Sequence, residues 1–277
     1  MGFPPILSTS VFARMNFPLA SRRALVGGST QGIGRAIAEA LAAQGATITL
    51  LARDAERLHA VAAALPTPAG QTHDFLAADF SDPAAVAASV HQHLARHPEG
   101  FHILVNNTGG PAGGPLLDAP VEALRIAFNQ HVICNHLLAQ AVVPGMRAAG
   151  FGRIINIIST SVKIPLPGLG VSNTIRGAVA SWAKTLANEL GPAGITVNNV
   201  LPGATLTQRH TSLIEKKIAQ TGQSAEAIEA DMLKTIPARR FGHAEEVAAA
   251  VAFLASPAAG YINGTSVPVD GGRTGAL

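Results

Sequence analysis

The sequence predicts an α/β protein, a doubly wound, mainly parallel sheet of seven strands with helices on both faces. Three observations carry that expectation. Short apolar runs alternate with longer helical patterns from Ser21 onward, as a parallel sheet and its crossover helices require. A glycine-rich turn from Gly27 to Gly34 joins the first apolar run to the first helical one. The remaining motifs fall where strands end, and in such sheets the ligand crevice lies outside the carboxyl ends of the strands.

The first strand, 23–27, runs into that turn. Glycine lets the backbone turn sharply and approach a ligand closely. The helix that follows, 32–44, aims the unpaired N–H groups of its first turn at any anion seated there. Gly28, Thr30, Gln31, Gly32, Ile33 and Gly34 are therefore expected to hold the phosphates of a dinucleotide. The second strand, 47–52, leads to Arg53. NAD-selecting sites place a carboxylate at this point for the ribose 2′-hydroxyl. Here Ala52 stands in that position and Arg53 follows; a guanidinium clamps a 2′-phosphate with two hydrogen bonds. NADP(H) is thus expected in preference to NAD(H).

A helix is expected at 54–64. The third strand, 73–78, closes on Asp79 and Phe80, a pair assigned to the adenine end of the cofactor. Asp82 is expected to cap a helix at 83–96 ahead of Pro83. That helix carries His91, His93 and His97, of which only His93 and His97 are helical neighbours. Without a Cys or a converging carboxylate, the expectation is a surface helix and no metal. A fourth strand, 102–106, precedes Asn107-Thr108-Gly109, and one long helix is expected over 119–149. A fifth strand spans 152–158, a helix 172–190 and a sixth strand 195–200. After Pro202-Gly203 comes a polar helical segment, 206–239, broken at Gly222. A helix at 244–256 and a strand at 266–269 complete a Rossmann-like fold.

Composition narrows the function classes. The chain has 277 residues, 48% hydrophobic and 13% charged, which suits one large core and hence one domain, placed at 21–277. Residues 1–20 read as a loose extension, with 1–14 either part of it or the product of a start codon upstream of Met15. The net charge of +3 comes from scattered basic residues, whereas nucleic-acid binders concentrate theirs on one face. The single cysteine, Cys134, excludes an intrachain disulfide and fits a reducing, cytoplasmic setting. No apolar run has the length of a membrane span, and the first residues lack the pattern of a signal peptide.

The glycine turn, Asn106-Asn107-Thr108-Gly109, the Gly152–Ser159 run, Asn199-Val200-Leu201-Pro202-Gly203, Arg240-Phe241-Gly242 and Val269-Asp270-Gly271-Gly272 occur in an order that resembles the short-chain dehydrogenase/reductase family from residue 21 to about 273. The resemblance implies hydride transfer between a nicotinamide and a carbonyl or alcohol. It assigns Asn107, Thr108, Gly109, Pro202 and Gly203 to the cofactor and makes 206–239 a lid over the substrate. It also implies a homodimer or homotetramer, because the helices 119–149 and 172–190 of relatives pack against a second subunit. Their counterparts here are apolar on more than one face.

The chemistry departs from the family pattern. Ser159 occupies the family's serine, but Ser172 stands where the proton-donating Tyr belongs and Arg176 where its Lys belongs. The one tyrosine, Tyr261, is near the end of the chain. His131 falls at the family's Asn. A serine hydroxyl is a far weaker acid than a phenol, and an arginine does not give up its proton. His131 or Lys163 is therefore expected to supply the proton, with Ser159 orienting the substrate oxygen and Arg176 holding the nicotinamide ribose. These departures resemble a divergent branch similar to 3-oxoacyl-acyl-carrier-protein reductases. The substrate is then a small-molecule or acyl-carrier-linked carbonyl, with no nucleic acid and no membrane involved. The rival reading is a dinucleotide-binding sensor or an inactive subunit, for which the missing Tyr is the natural consequence.

Overall fold

The structure, a computed structural model, describes residues 18–275. The extension expected at 1–20 therefore lies, up to residue 17, outside the described residues. Its last residues are corrected: Leu19 is fully buried and its N–H donates to the Gln44 carbonyl at 2.9 Å.

Seven strands form one sheet in the order β3-β2-β1-β4-β5-β6-β7. They are β1 (Arg23–Gly27), β2 (Thr47–Ala52), β3 (Asp74–Ala77), β4 (Ile103–Asn106), β5 (Gly152–Ile157), β6 (Ile195–Pro202) and β7 (Ser266–Val269). Every pairing is parallel, so the expected mainly parallel sheet is wholly so. The chain builds outward from β1 to β3, then returns to the other side of β1 with β4. That reversal opens a crevice between β1 and β4 at their carboxyl ends.

Alternation along the strands divides the core in two. Ala24, Val26, Ile48, Leu50, Ile103 and Val105 pack on one face against α1 (Gly32–Ala43), α2 (Ala55–Ala64) and α9 (Ala244–Ala255). Leu25, Leu51, Leu104 and Ile154 face the other way, against α3 (Pro83–Arg96), α5 (Cys134–Ala148) and α6 (Gly170–Leu190). Asp54 and Asp82 cap α2 and α3 through their side chains.

Two expectations change. The long helix at 119–149 is α4 (Val121–Phe128), a π-helical turn at Asn129–Ile133, and α5. A π-turn inserts one extra residue into the helical ladder and is often found at functional sites; here it carries His131. The histidine helix is not wholly a surface helix either. His93 is 1% exposed, stacked between His97 and Phe101. A carboxylate does converge there: Asp74 of β3 brings an oxygen to 3.6 Å from His93 Nδ1, and the ligand atoms of Asp74, His93 and His97 lie within 4.8 Å of one another.

Neighbouring strands are tied together by amides. Asn106 Nδ2 donates to Asn156 Oδ1 at 2.8 Å, Asn156 Nδ2 to Asn199 Oδ1 at 2.9 Å, and Asn199 Nδ2 to Ser266 Oγ at 3.1 Å. This chain crosses β4, β5, β6 and β7 within the sheet and satisfies polar groups that burial would otherwise strand. The segment 206–239 contains α7 (Gln208–Thr221) and α8 (Ala225–Lys234), separated at Gly222, whose φ of +69° glycine accommodates without strain. Among the described residues no helix is long and apolar enough to cross a membrane.

Candidate functional site

The crevice begins at the glycine turn. Gly28 and Gly32 have φ of +57° and +54°, a region that other residues adopt at a cost. At Gly34 the reason is contact: a Cβ there would lie 2.1 Å from the Gly28 oxygen and 2.7 Å from Asn107 Nδ2. Asn107 Nδ2 donates to the carbonyls of Gly27 and Gly28 at 3.1 and 3.3 Å. Ser29, which the sequence reading left unassigned, is fully buried and accepts from the Leu51 N–H at 3.2 Å. The turn is thus pinned from two sides. Gln31 caps α1 without a side-chain hydrogen bond, and no acidic residue stands in the first turn. The N-terminal N–H groups of α1 therefore face an open, electropositive space fit for a diphosphate. Thr30, Ile33 and Thr108 are half-buried around it, and Gln31 and Gly109 are exposed.

At the end of β2, the Arg53 guanidinium lies 3.6 Å from Asp79, and its side chain is 75% exposed. Slight burial works to raise the Asp79 carboxyl, but hydrogen bonds from Ser81 and the Arg53 charge hold it below the usual range. Phe80 is 5% exposed, and its ring tip lies 3.2 Å from where a Cβ on Gly27 would stand. It forms the floor beneath the turn rather than an open contact surface. On the other flank the Gly203 N–H donates to the Val269 carbonyl, fixing Pro202-Gly203 beside the end of β7.

The chemical end of the crevice lies over β5. Ser159 is half-buried and accepts from the Ser161 N–H at 3.1 Å, which leaves its own O–H free to donate. Ser172 and Arg176 are 7% and 8% exposed on α6, one turn apart. Arg176 Nη1 donates to the Ile157 carbonyl at 2.8 Å. Among the described residues no carboxylate pairs with it. Burial, and then the Arg209 charge, lower its pKa to about 10, so it remains a cation at neutral pH.

His131 requires a correction. Burial pushes its pKa down to about 2, and the charges of Arg176 and Arg209 act in the same direction, against the pull of a hydrogen bond to the Gly109 carbonyl. At neutral pH it is an uncharged imidazole, not the acid expected from its ordinary titration. With one N–H given to Gly109, the other nitrogen of a neutral ring offers only a lone pair. Lys163 sits exposed at the end of the short 3₁₀ turn Thr160–Val162 that follows Ser159.

Sequence reasoning missed Arg209. Its guanidinium reaches from the first turn of α7 to the carbonyls of Gly110 and Pro111, at 2.9 and 3.2 Å. A cleft of about 290 Å³ opens there, lined in part by Gly113, Arg209, Ser212 and Lys216. The available signal was a basic residue two places after Thr207, the cap of α7.

Comparison with known proteins adds the following. A family model described as enoyl-(acyl carrier protein) reductase matches residues 28–274. The chain is 34% identical over 249 residues to the 3-oxoacyl-[acyl-carrier-protein] reductase FabG of Haemophilus influenzae, covering 90% of this chain and 96% of that protein. It is 30% identical over 255 residues to the NADPH-dependent reductase BacG of Bacillus subtilis, covering 92% of this chain and 98% of that one. The L-sorbose reductase of Gluconobacter frateurii, solved with NADPH and L-sorbose, matches with a TM-score of 0.88 at 33% identity, covering 95% of this chain and 100% of that one.

Proposed function

The chain belongs to the short-chain dehydrogenase/reductase family, and from that premise we propose that it is an NADPH-dependent reductase of carbonyl compounds with an altered route for the proton. The observation that carries this reading is the pinned glycine turn at the α1 N-terminus, with Arg53 rather than a carboxylate at the end of β2. NADPH, when bound, supplies a hydride to the carbonyl carbon. The chain's own residues do the rest.

The glycine turn and the first turn of α1 hold the diphosphate, and Arg53 clamps the 2′-phosphate. The Asp79 carboxylate near Arg53 orients that side chain. Asn107, Thr108, Gly109, Pro202 and Gly203 line the path of the cofactor. Arg176 holds the nicotinamide ribose, and the Ser159 hydroxyl donates to the substrate oxygen, stabilising the charge that hydride addition places there. Among the groups named for the proton, His131 lacks a dissociable proton at neutral pH. Lys163 is the donor in this reading, reaching the alkoxide from the loop after Ser159 while α7 and α8 close over the substrate.

The substrate is a small or acyl-carrier-linked carbonyl compound, and the assembly is a homodimer or homotetramer built through α4, α5 and α6. Val121, Ile126 and Phe128 of α4 are exposed apolar side chains that such an interface would cover. The lone Cys134, its thiol pushed up to about 12 by burial and by Asp79 and Asp82, suits a reducing cytoplasm. A chain that binds NADPH without turnover is the rival reading; reductase activity among relatives that cover almost all of the chain argues against it.

The test is a fluorescence titration with NADPH and NADH, followed by a screen of carbonyl compounds with NADPH. Micromolar NADPH binding, much weaker NADH binding and oxidation of NADPH in the presence of a carbonyl are expected. Binding without any turnover would establish the rival, and failure to bind either dinucleotide would remove both.

A further inference from the structure

The crevice contains a charge that no carboxylate among the described residues balances. Arg176 is 8% exposed, gives one hydrogen bond to the Ile157 carbonyl, and has no carboxylate partner among the described residues. A buried cation is costly unless an anion or a full set of hydrogen bonds compensates it. The reductase reading does not provide that anion. The ribose hydroxyls that Arg176 would hold are neutral, as is a dihydronicotinamide ring, and the cofactor's phosphates are already assigned to the glycine turn and Arg53.

A second guanidinium lies close enough to act on the first. Arg209 acts electrostatically on both Arg176 and His131. It is held in a fixed pose, with Nη1 and Nη2 on the Gly110 and Pro111 carbonyls. Gly110 permits that pose, because a Cβ there would stand 2.9 Å from Arg209 Nη2. Lys216, two helical turns further along α7, lines the same cleft, whose lining includes no Asp or Glu. Arg209 and Lys216 thus give the cleft two cations and no anion.

We propose that the substrate is an anionic carbonyl compound, an oxo acid, whose carboxylate is received by Arg209 at the cleft beside Gly110 and offsets the buried charge of Arg176. With one N–H on each of Nη1 and Nη2 given to a backbone carbonyl, the guanidinium keeps three of its five donors for the two oxygens of a carboxylate, and the cleft's cations attract an anion while penalising a neutral or cationic analogue. The inference rests on the reductase reading for the position of the reacting carbonyl. It goes beyond that reading in naming the charge of the substrate and the residue that selects it.

The experiment uses the full chain with NADPH and a panel of oxo acids (pyruvate, phenylpyruvate, acetoacetate and levulinate), each beside its methyl ester. The acids should be preferred in kcat/KM. Arg209→Gln should cut the acid-to-ester ratio by about tenfold or more, the scale of one charge-assisted hydrogen bond, with the NADPH Kd changed less than about twofold. Arg209→Lys should keep part of the preference, since it retains the charge without the fork. Acids and esters used equally well by the unaltered protein, or a loss in Arg209→Gln that falls on NADPH binding instead, would overturn the proposal. Should no compound be turned over, the same pairs are titrated against the NADPH-loaded protein by quenching of cofactor fluorescence. Acid-selective binding that Arg209→Gln weakens would then support the anion site while the reductase reading failed. Equal binding of acid and ester would overturn it.

Discussion

Asn107 and Gly28 are joined across the crevice: the side-chain amide after β4 donates to the carbonyl of the glycine turn after β1, 79 residues earlier, at 3.3 Å. The same amide holds Gly27 at 3.1 Å. The proposed cofactor cradle is therefore built from two strand ends that one amide holds together. Asn107→Ala should weaken NADPH binding by about tenfold, the cost of roughly 1.4 kcal/mol expected from losing these bonds. Fluorescence titration reads the effect directly, and an unchanged Kd would show that the turn holds its shape without Asn107.

Gly34 is a sharper case. Its Cβ position is blocked by backbone, the Gly28 oxygen at 2.1 Å, and by the same Asn107 amide at 2.7 Å. Gly34→Ala must push α1 away from the turn, so NADPH binding should be lost and the thermal midpoint lowered by several degrees, as overpacking of about 1–3 kcal/mol implies for a domain of this size. Retained binding would mean that the turn and α1 can separate at little cost.

Arg53 should govern the choice between cofactors. It stands 3.6 Å from Asp79 and is largely exposed, so its removal costs the fold little. Arg53→Ala should weaken NADPH binding by about ten- to a hundredfold, the value of a charge-assisted contact of about 1.5–3 kcal/mol, and leave NADH binding nearly unchanged. Equal losses for both dinucleotides would mean that Arg53 does not read the 2′-phosphate.

The sheet was legible because most of its strands are short apolar runs set off by glycine, asparagine or proline; β1 and β2 occupy the expected bounds. The glycine turn was legible for the same reason, since Gly34 and Asn107 leave a local trace of a packing demand. His131 was not legible. Its burial follows from a π-turn inside an otherwise regular helical pattern, which side-chain periodicity does not reveal, and burial is what reverses its acid–base role. Asp74 and His93 are 19 residues apart in the chain and meet only because α3 packs back on β3. Arg209 escaped for a related reason: a polar helix reads as solvated, and its contact with Gly110 spans 99 residues.

His131 also makes the protein's stability depend on pH in a definite direction. Its pKa is depressed to about 2 in the native state, from an ordinary value of 6.5, chiefly by burial. Above the ordinary value both states are neutral and the group contributes nothing. As the pH falls below it, the unfolded chain takes up a proton that the native state refuses, so stability declines by about 1.4 kcal/mol per pH unit from this group. Urea unfolding between pH 6 and pH 4 should show that decline, and His131→Asn should reduce the slope by about one proton. Equal slopes for the two proteins would show that His131 is not held neutral in the native state.

In the proposed reading the proton comes from Lys163. Ser172 has too weak an acid and Arg176 remains charged, while the N–H of a neutral His131 is committed to Gly109. The Lys163 side chain is exposed and makes no hydrogen bond or ion pair among the described residues, so its removal separates chemistry from stability. Lys163→Met should leave the thermal midpoint and the NADPH Kd unchanged and lower kcat by about a hundredfold, the lower end of what a positioned proton donor supplies. Because the lost group acts on the alkoxide formed after hydride addition begins, kcat and kcat/KM should fall together. A rise in KM alone would recast Lys163 as a binding residue. Full turnover in the variant would mean that water delivers the proton directly, with the Ser159 hydroxyl and the Arg176 charge sufficient to stabilise the alkoxide until it does.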